Sequence, residues 1–479
     1  MVGRSKEIRR LKELYNSGRA ELVAVHGRRR VGKTFLINET FGNKFTFHHA
    51  GLSPVETDHV KGDSPLRKQL HQFYNSLLRY GMKKSRRPDN WLDAFLMLET
   101  FLESKDDGSR QLVFFDELPW MDTQRSGFIT AFEGFWNTWA CGRNNLMVIV
   151  CGSATSWITD KLINNHGGLY NRVTYEIKLS PFSLKECEDL FRERRIKLAQ
   201  YDIVQAYMIT GGIPYYLNYF EKGLSLAQNI DRLFFSPGAF LKHEYDRLFS
   251  SVFTNPEMLK SIVECLAAKS TGYSRDDISR LTGYSKGGTL SDALNALAVS
   301  DFIIRYTPFG TGKRNEHYKL IDPFCIFHNR FVSGRDSLAA SFWQQNDFAQ
   351  PVVSWRGLAF ENVCFHHIEQ IKAALGISGV STRQAAWFKK ADDESGTQID
   401  LIIERKDHIA NMCEIKFYNK EFASDKDYHM VLVNRQELLE KSLPRGMIIH
   451  STLITTYGLK YNEYSGDFDN VITLEDLFR

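Results

Sequence analysis

The apolar positions of the first 180 residues follow two periods. Short, largely apolar runs ("ELVAVHG", "KFTFHHAG", "QLVFFDE" and "LMVIVCGS") alternate with stretches where apolar residues recur every three or four positions, near 5 to 17, after Lys33, from 65 to 103 and near 126 to 140. Continuous apolar runs mark strands buried on both faces, and the longer period marks helices. Their alternation predicts a parallel sheet covered by helices on both sides. From 183 to about 250 the pattern is mostly helical, broken by "TGGIPYYL". Three short helical patterns from 256 then precede "DFIIRYTPFGTGKRNEHYKLID", two β-like segments around a glycine-rich turn, which is the element order of a winged helix.

Residues 326–355 form a partly helical connector, and an α+β pattern resumes at 356. The predicted layout is an α/β core over 1–182, a helical lid over 183–250, a winged helix over 255–325, the connector, and an α/β domain over 356–479. A chain of 479 residues accommodates that many units. Hydrophobic residues at 43% and charged residues at 25% exclude a disordered chain. The formal charge of +4 permits a nucleic-acid partner without requiring one. The seven cysteines are widely spaced, without a CxxC pair, and predict buried thiols in a reducing compartment. The N-terminus has the charge pattern of no signal peptide, and no apolar run is long enough to span a bilayer, so a cytoplasmic protein without a membrane partner is expected.

"GRRRVGKT", residues 27–34, fits G-x-x-x-x-G-K-[ST] between a predicted strand and a predicted helix. Such a turn aims backbone N–H groups and the positive helix end at one point, where phosphate oxygens can replace water. Gly27, Arg28, Arg29, Arg30, Val31 and Gly32 would form the cradle, with Phe35 just beyond it. Lys33 would reach the β and γ phosphates of ATP or GTP, and Thr34 would meet Mg²⁺. "LVFFDE" adds Asp116, placed to hold the metal, and Glu117, placed as general base; the bland alternative is a strand that stops at acidic turn residues. Ser153, ending the next strand, is a candidate partner for the attacking water or the γ phosphate. Arg172 follows a Gly-Gly pair and is a candidate transition-state cation in its own or a neighbouring subunit; the alternative is a surface salt bridge. "GTGKR" at 310–314 lacks the earlier glycine and the metal-ligating hydroxyl and is assigned to the wing.

Together "VGRSKEIRRLKEL", "GRRRVGKT", "LVFFDELPW", "GSATSW", "LYNRVTYEIKLSPF" and "TGGIPYYL" resemble the archaeal-type ATPases, a P-loop branch close to AAA+ and STAND proteins. The resemblance implies ATP as the nucleotide, with adenine near Gly3 and Arg4, and a chain that continues through a winged helix into a nuclease-like domain.

The carboxy-terminal pattern carries its own chemistry. "QIDLIIE" and "NMCEIKF" can form a hairpin turning at "RKDHIAN". Alternation places Glu414 and Lys416 on one face, and Asp400 on the facing arm approaches it. Converging buried carboxylates repel unless a cation joins them, so Asp400 and Glu414 suit Mg²⁺ or Mn²⁺, with Lys416 orienting a water and Glu361 reaching in from an amphipathic helical pattern. This Glu…Asp…Glu-x-Lys order resembles the PD-(D/E)xK nuclease fold. The alternative is strand-edge charges with Lys416 as their solvated partner. His366 and His367 are adjacent on a helix, diverge by about 100°, and are expected to pack.

On the predicted winged helix, Lys286, Thr289 and Asn295 face outward and Lys313 and Arg314 lie in the wing, while Asp276, Asp277 and Asp292 dilute the basic surface. Two functions remain open at this point: an ATPase that moves the winged helix and a metal-dependent nuclease-like domain on DNA, or an ATP-switched regulator or scaffold that cuts nothing. Either is compatible with a homo-oligomer.

Overall fold

A computed structural model of the chain describes all residues except 1, 54–63, 165–166, 251–255, 308–315, 336–338 and 390–396. Two compact units emerge, one of residues 1–181 with 246–257, the other of 182–245 with 258–479.

The first unit is built on five parallel strands, β1 (Glu21–His26), β2 (Phe47–Ala50), β3 (Gln111–Asp116), β4 (Leu146–Gly152) and β5 (Tyr175–Lys178), in the order β2-β3-β4-β1-β5. Every residue of β1, β3 and β4 is buried, as their apolar runs require for strands covered on both faces. Helices α1 (Ser5–Tyr15), α2 (Lys33–Phe41), α3 (Pro65–Arg79), α4 (Trp91–Ser104) and α5 (Phe128–Gly134) belong to the same unit, alongside shorter helical turns. Ser64 caps α3 by accepting from Arg67 N–H with Pro65 in its first turn, and Asn90 caps α4. On one face of the sheet Leu22, Phe47, Val113, Phe115 and Val148 pack against Phe73 of α3, Phe95 of α4 and Phe132 of α5. The helix predicted near 126 to 140 ends as α-helix at Gly134 and runs on as a π-turn over Phe135–Trp139.

The second unit opens with α6 (Leu184–Glu193), whose capping box of Ser183 and Glu186 satisfies two terminal N–H groups, and α7 (Gln200–Thr210). After several shorter helical segments between 214 and 250 come α8 (Pro256–Ala267), β6 (Tyr273–Ser274), α9 (Arg275–Thr282), α10 (Gly288–Val299), β7 (Ile303–Tyr306) and β8 (His317–Leu320). The three strands pair antiparallel in the order β6-β8-β7. The glycine-rich turn with Lys313 and Arg314 lies outside the described residues.

Helix α11 (Gln350–His366) begins inside the expected connector; Val353, Ser354 and Leu358 of its first half are exposed, whereas Ala359 through Cys364 are all buried, so the amphipathic pattern expected from 356 onward is absent from that stretch. After α12 (Ile368–Ala374) a mixed sheet follows: β9 (Thr382–Lys389), β10 (Thr397–Arg405) and β11 (Ile409–Lys416) antiparallel, then β12 (Ile448–Thr455) and β13 (Asn470–Ile472) parallel to β11. Helix α13 (Lys426–Glu440) buries Leu432 and Leu439 against this sheet's core. Of the seven cysteines, Cys141 is exposed and Cys265 half-buried; the expectation of buried thiols holds for the other five. Among the described residues no helix is long and apolar enough to cross a membrane.

Candidate active site and carboxylate centre

The turn between β1 and α2 shows why its glycines stand where they do. Gly27 has φ of 142°, and a Cβ there would lie 2.3 Å from the Leu179 carbonyl oxygen, so this glycine serves the close passage of the chain beyond β5. Gly32 has φ of 92°, and a Cβ would meet nothing within 4 Å, which leaves the concave side of the loop open. Arg30, between them, also takes a positive φ of 73°. Val31 and Arg28 are buried, and Phe35 is exposed.

Lys33 begins α2 and is buried. Its amine donates to the carbonyl oxygens of Gly27 at 2.9 Å and Arg28 at 3.0 Å and to Ser153 Oγ at 3.1 Å. Burial pushes this amine below the usual lysine range, opposed by the Glu117 and Asp116 carboxylates. A buried ammonium whose direct partners are neutral is relieved by an anion, so the loop fits a phosphate group.

Thr34 Oγ1 donates to Asp116 Oδ2 at 2.9 Å. A hydroxyl and a carboxylate oxygen this close form the small hard-oxygen set from which Mg²⁺ is held together with phosphate oxygens and water. Asp116 also accepts from the Glu117 N–H at 3.0 Å and from Cys151 Sγ at 2.7 Å. Burial first, then Asp116, pushes the Cys151 thiol well above its ordinary range, which keeps it a donor. Cys151 was not singled out from sequence; the signal was there in the neighbouring strands, since Phe115 pairs with Val150 and the next residues are Asp116 and Cys151.

Glu117 sits at the end of β3 with φ of 46°, a strained value for a side-chain-bearing residue. Its carboxylate accepts from Ser153 N–H at 2.9 Å and from the Ser153 hydroxyl at 2.7 Å. The bend turns its carboxylate toward β4, so Lys33, Ser153 and Glu117 form one hydrogen-bonded chain. Arg4 takes φ of 60°, is buried, and donates to Ser180 O at 2.6 Å; Gly3 beside it has φ of 61°. Arg172 is exposed on a turn, its N–H bonded to Leu169 O, and no carboxylate pairs with it among the described residues.

In the second unit the expected hairpin forms, with Leu401 opposite Cys413 and Ile402 opposite Met412. Asp400 Oδ2 accepts from Ile415 N–H at 3.4 Å, and Lys416 Nζ lies 3.6 Å from Glu414 Oε2. Glu361 joins them from α11: burial, then the Asp400 charge, pushes its carboxyl up to about 7, and burial, then Glu414, raises that of Asp400. Three partners are additions to the sequence reading. Lys319 of β8 lies 3.7 Å from Glu361, Tyr428 donates to Glu414 at 2.6 Å, and Arg435 Nη1 reaches both Glu414 oxygens at 2.5 Å. Tyr428 and Arg435 stand seven residues apart on α13, hence on one helical face, which was the legible hint. Among the described residues no group of three or more His, Cys, Asp or Glu side chains has the arrangement of a metal cage. At the centre expected to hold Mg²⁺ or Mn²⁺ through Glu361, Asp400 and Glu414, Glu414 already accepts three hydrogen bonds from Tyr428 and Arg435.

Lys286, expected to face outward, lies in the turn before α10 and its amine pairs with Asp276 at 2.9 Å; on α10 Thr289 is exposed, and Asn295 accepts from Arg305 at 3.5 Å. His367 packs, as expected, within the second unit.

Residues 1–220 match the family described as an ATPase domain predominantly from Archaea. An uncharacterized protein of Methanocaldococcus jannaschii is 23% identical over 442 residues, 91% of this chain and 92% of the relative. Among solved structures, the Walker-type ATPase of Pyrococcus abyssi aligns with a TM-score of 0.47 and 20% identity over 69% of this chain and 96% of that one. The ORC2 protein of Aeropyrum pernix aligns with a TM-score of 0.40 and 12% identity over 68% of this chain and 92% of that one. Family match and loop chemistry agree on ATP binding and hydrolysis by residues 1–220, the segment that matches the predominantly archaeal ATPase domain.

Proposed function

We propose that the chain is an Mg²⁺-dependent ATP hydrolase whose nucleotide state governs DNA contact by a winged helix, α8 to β8, followed by a nuclease-like α/β module that recognises without cutting. The observation that carries the ATP chemistry is the convergence of Lys33, Thr34, Asp116, Glu117 and Ser153 at the ends of three neighbouring parallel strands. In this reading Gly32 and its neighbours cradle the phosphates, Lys33 binds them, and Thr34 and Asp116 hold the metal. Glu117 takes the proton of the attacking water, and Ser153 positions it. Bound Mg²⁺ supplies charge neutralisation between the phosphate oxygens. Arg172, exposed and without an acidic partner among the described residues, is the candidate cation for the transition state, and Gly3 and Arg4 flank the adenine.

DNA contact is supported by the element order and by the exposed amino-terminal turn of α10, where Gly287, Gly288 and Thr289 bring backbone and hydroxyl groups to the surface. The Lys286–Asp276 pair favours a second reading, a protein partner on the same face. Fluorescence anisotropy of a labelled duplex, titrated at several salt concentrations with the Glu117→Gln protein and ATP, separates them. Salt-dependent binding that requires nucleotide supports the DNA reading; no binding at low salt in any nucleotide state leaves the protein-partner reading in its place.

A further inference from the structure

Glu414 is fully buried at the end of β11, and every contact it makes is with the protein's own donors. Arg435 Nη1 meets both carboxylate oxygens at 2.5 Å, the Tyr428 hydroxyl meets Oε2 at 2.6 Å, and Lys416 Nζ stands 3.6 Å from the same oxygen. Glu361, the carboxylate that approaches from α11, has a buried partner of its own in Lys319 at 3.7 Å. Three carboxylates, Glu361, Asp400 and Glu414, thus face three cations, Lys319, Lys416 and Arg435, formally three charges against three. A divalent ion is drawn to a site by uncompensated negative charge and by oxygen lone pairs free at about 2.0–2.6 Å. At Glu414 the charge is compensated and three of the roughly four acceptor positions of the carboxylate are taken.

We propose that Arg435 stands in the place of a divalent cation, so that the centre formed by Glu361, Asp400, Glu414 and Lys416 is closed by internal ion pairs and takes no catalytic metal. One guanidinium nitrogen of Arg435 spans both Glu414 oxygens, a position that a bound metal would otherwise fill, but it polarises no water for attack. The centre then fixes the hairpin of β10 and β11 against α11, β8 and α13, and the module presents a rigid surface in place of a cutting one. The inference does not depend on ATP chemistry in the first unit, and ATP turnover serves as the control for an intact protein.

The test uses the full chain without nucleotide and Mn²⁺ as the probe, followed by electron paramagnetic resonance and by thermal melting. Wild type and Asp400→Asn are expected to retain Mn²⁺ equally, and Mn²⁺ is expected to leave the wild-type melting temperature unchanged. Arg435→Gln, which uncovers Glu414, is expected to melt lower, to regain part of that loss with Mn²⁺, and to hold the ion at least tenfold more tightly than wild type in a manner that Asp400→Asn abolishes. An Mn²⁺ on wild type that disappears in Asp400→Asn would overturn the proposal, as would a folded Arg435→Gln that gains none. Should Arg435→Gln fail to fold, the comparison of wild type with Asp400→Asn still decides the matter.

Discussion

The Ser153 hydroxyl donates to Oε1 of Glu117 across 2.7 Å while accepting from Lys33 Nζ across 3.1 Å. One small side chain therefore joins the group that meets phosphate to the group that meets water. Ser153→Ala removes both bonds and leaves the Glu117 carboxylate with only the backbone N–H of residue 153. We expect kcat for ATP hydrolysis to fall about tenfold to a hundredfold while KM for ATP changes by less than about threefold, because a lost side-chain hydrogen bond to a charged group costs about 1.5–3 kcal/mol. A steady-state titration that showed KM rising with kcat untouched would reassign Ser153 to simple binding.

Lys33 and Glu117 should separate binding from chemistry. Lys33→Ala deletes the buried ammonium and is expected to weaken ATP binding by at least about tenfold, by the same charged-bond magnitude. Glu117→Gln keeps the shape and one acceptor oxygen for Ser153 but cannot take a proton, so calorimetry should find ATP bound normally while turnover drops by about 10²–10⁴. Hydrolysis unchanged in both proteins is incompatible with the assigned roles.

Much of this unit was legible in the sequence, for a physical reason. Strands covered on both faces must be apolar throughout, so β1, β3 and β4 stood out, and the residues that break each run, Gly27, Asp116 and Ser153, mark the edge where the site lies. The hairpin of β10 and β11 was legible for a related reason, since alternation fixes which side chains share a face. Periodicity does not record which distant side chain fills the space beside a charge. Glu361 finds Lys319, 42 positions earlier, and Glu414 finds Arg435 on α13, where the seven-residue spacing from Tyr428 marks a shared face but names no partner for it. A metal was accordingly the simplest answer to a cluster of carboxylates, and the folded chain supplies cations instead. The extent of α11 is not marked in the sequence because its second half is buried from Ala359 to Cys364 and its exposed first half carries apolar Val353 and Leu358, so no polar stripe bounds it.

Cys151 donates to the carboxylate that faces Thr34, and its effect should appear in metal dependence. Cys151→Ser preserves a donor and is expected to stay within about threefold of wild type. Cys151→Ala leaves Asp116 freer to rotate, and the apparent KM for Mg²⁺ should rise about threefold to tenfold, the worth of one modest hydrogen bond of about 0.5–1.5 kcal/mol. Activity measured against Mg²⁺ at saturating ATP distinguishes the two; equal Mg²⁺ curves for serine and alanine would show that the thiol only packs.

His367 gives the second unit an acid-sensitive joint. It is 1% exposed, its Nε2 accepts from the Leu184 N–H that opens α6 at 2.9 Å, and its Nδ1 contacts Val363 O at 2.8 Å. The Leu184 donor requires Nε2 to be bare, so the proton lies on Nδ1 and is given to Val363 O. A second proton would set two N–H groups against each other, and burial pushes the imidazole down to about 4. The folded value lies below the unfolded value near 6.5, so the unfolded chain takes up the proton first. The stabilisation is complete above about pH 6.5 and is lost as pH falls from there to about 4, on the order of 3 kcal/mol in all. Denaturant unfolding at pH 7 and pH 5 should show wild type losing about 2 kcal/mol more than His367→Gln, which cannot titrate. Other buried histidines, His49 among them, are common to both proteins and cancel in that difference. Equal losses in the two proteins would mean that the imidazole accepts its second proton without disturbing the start of α6.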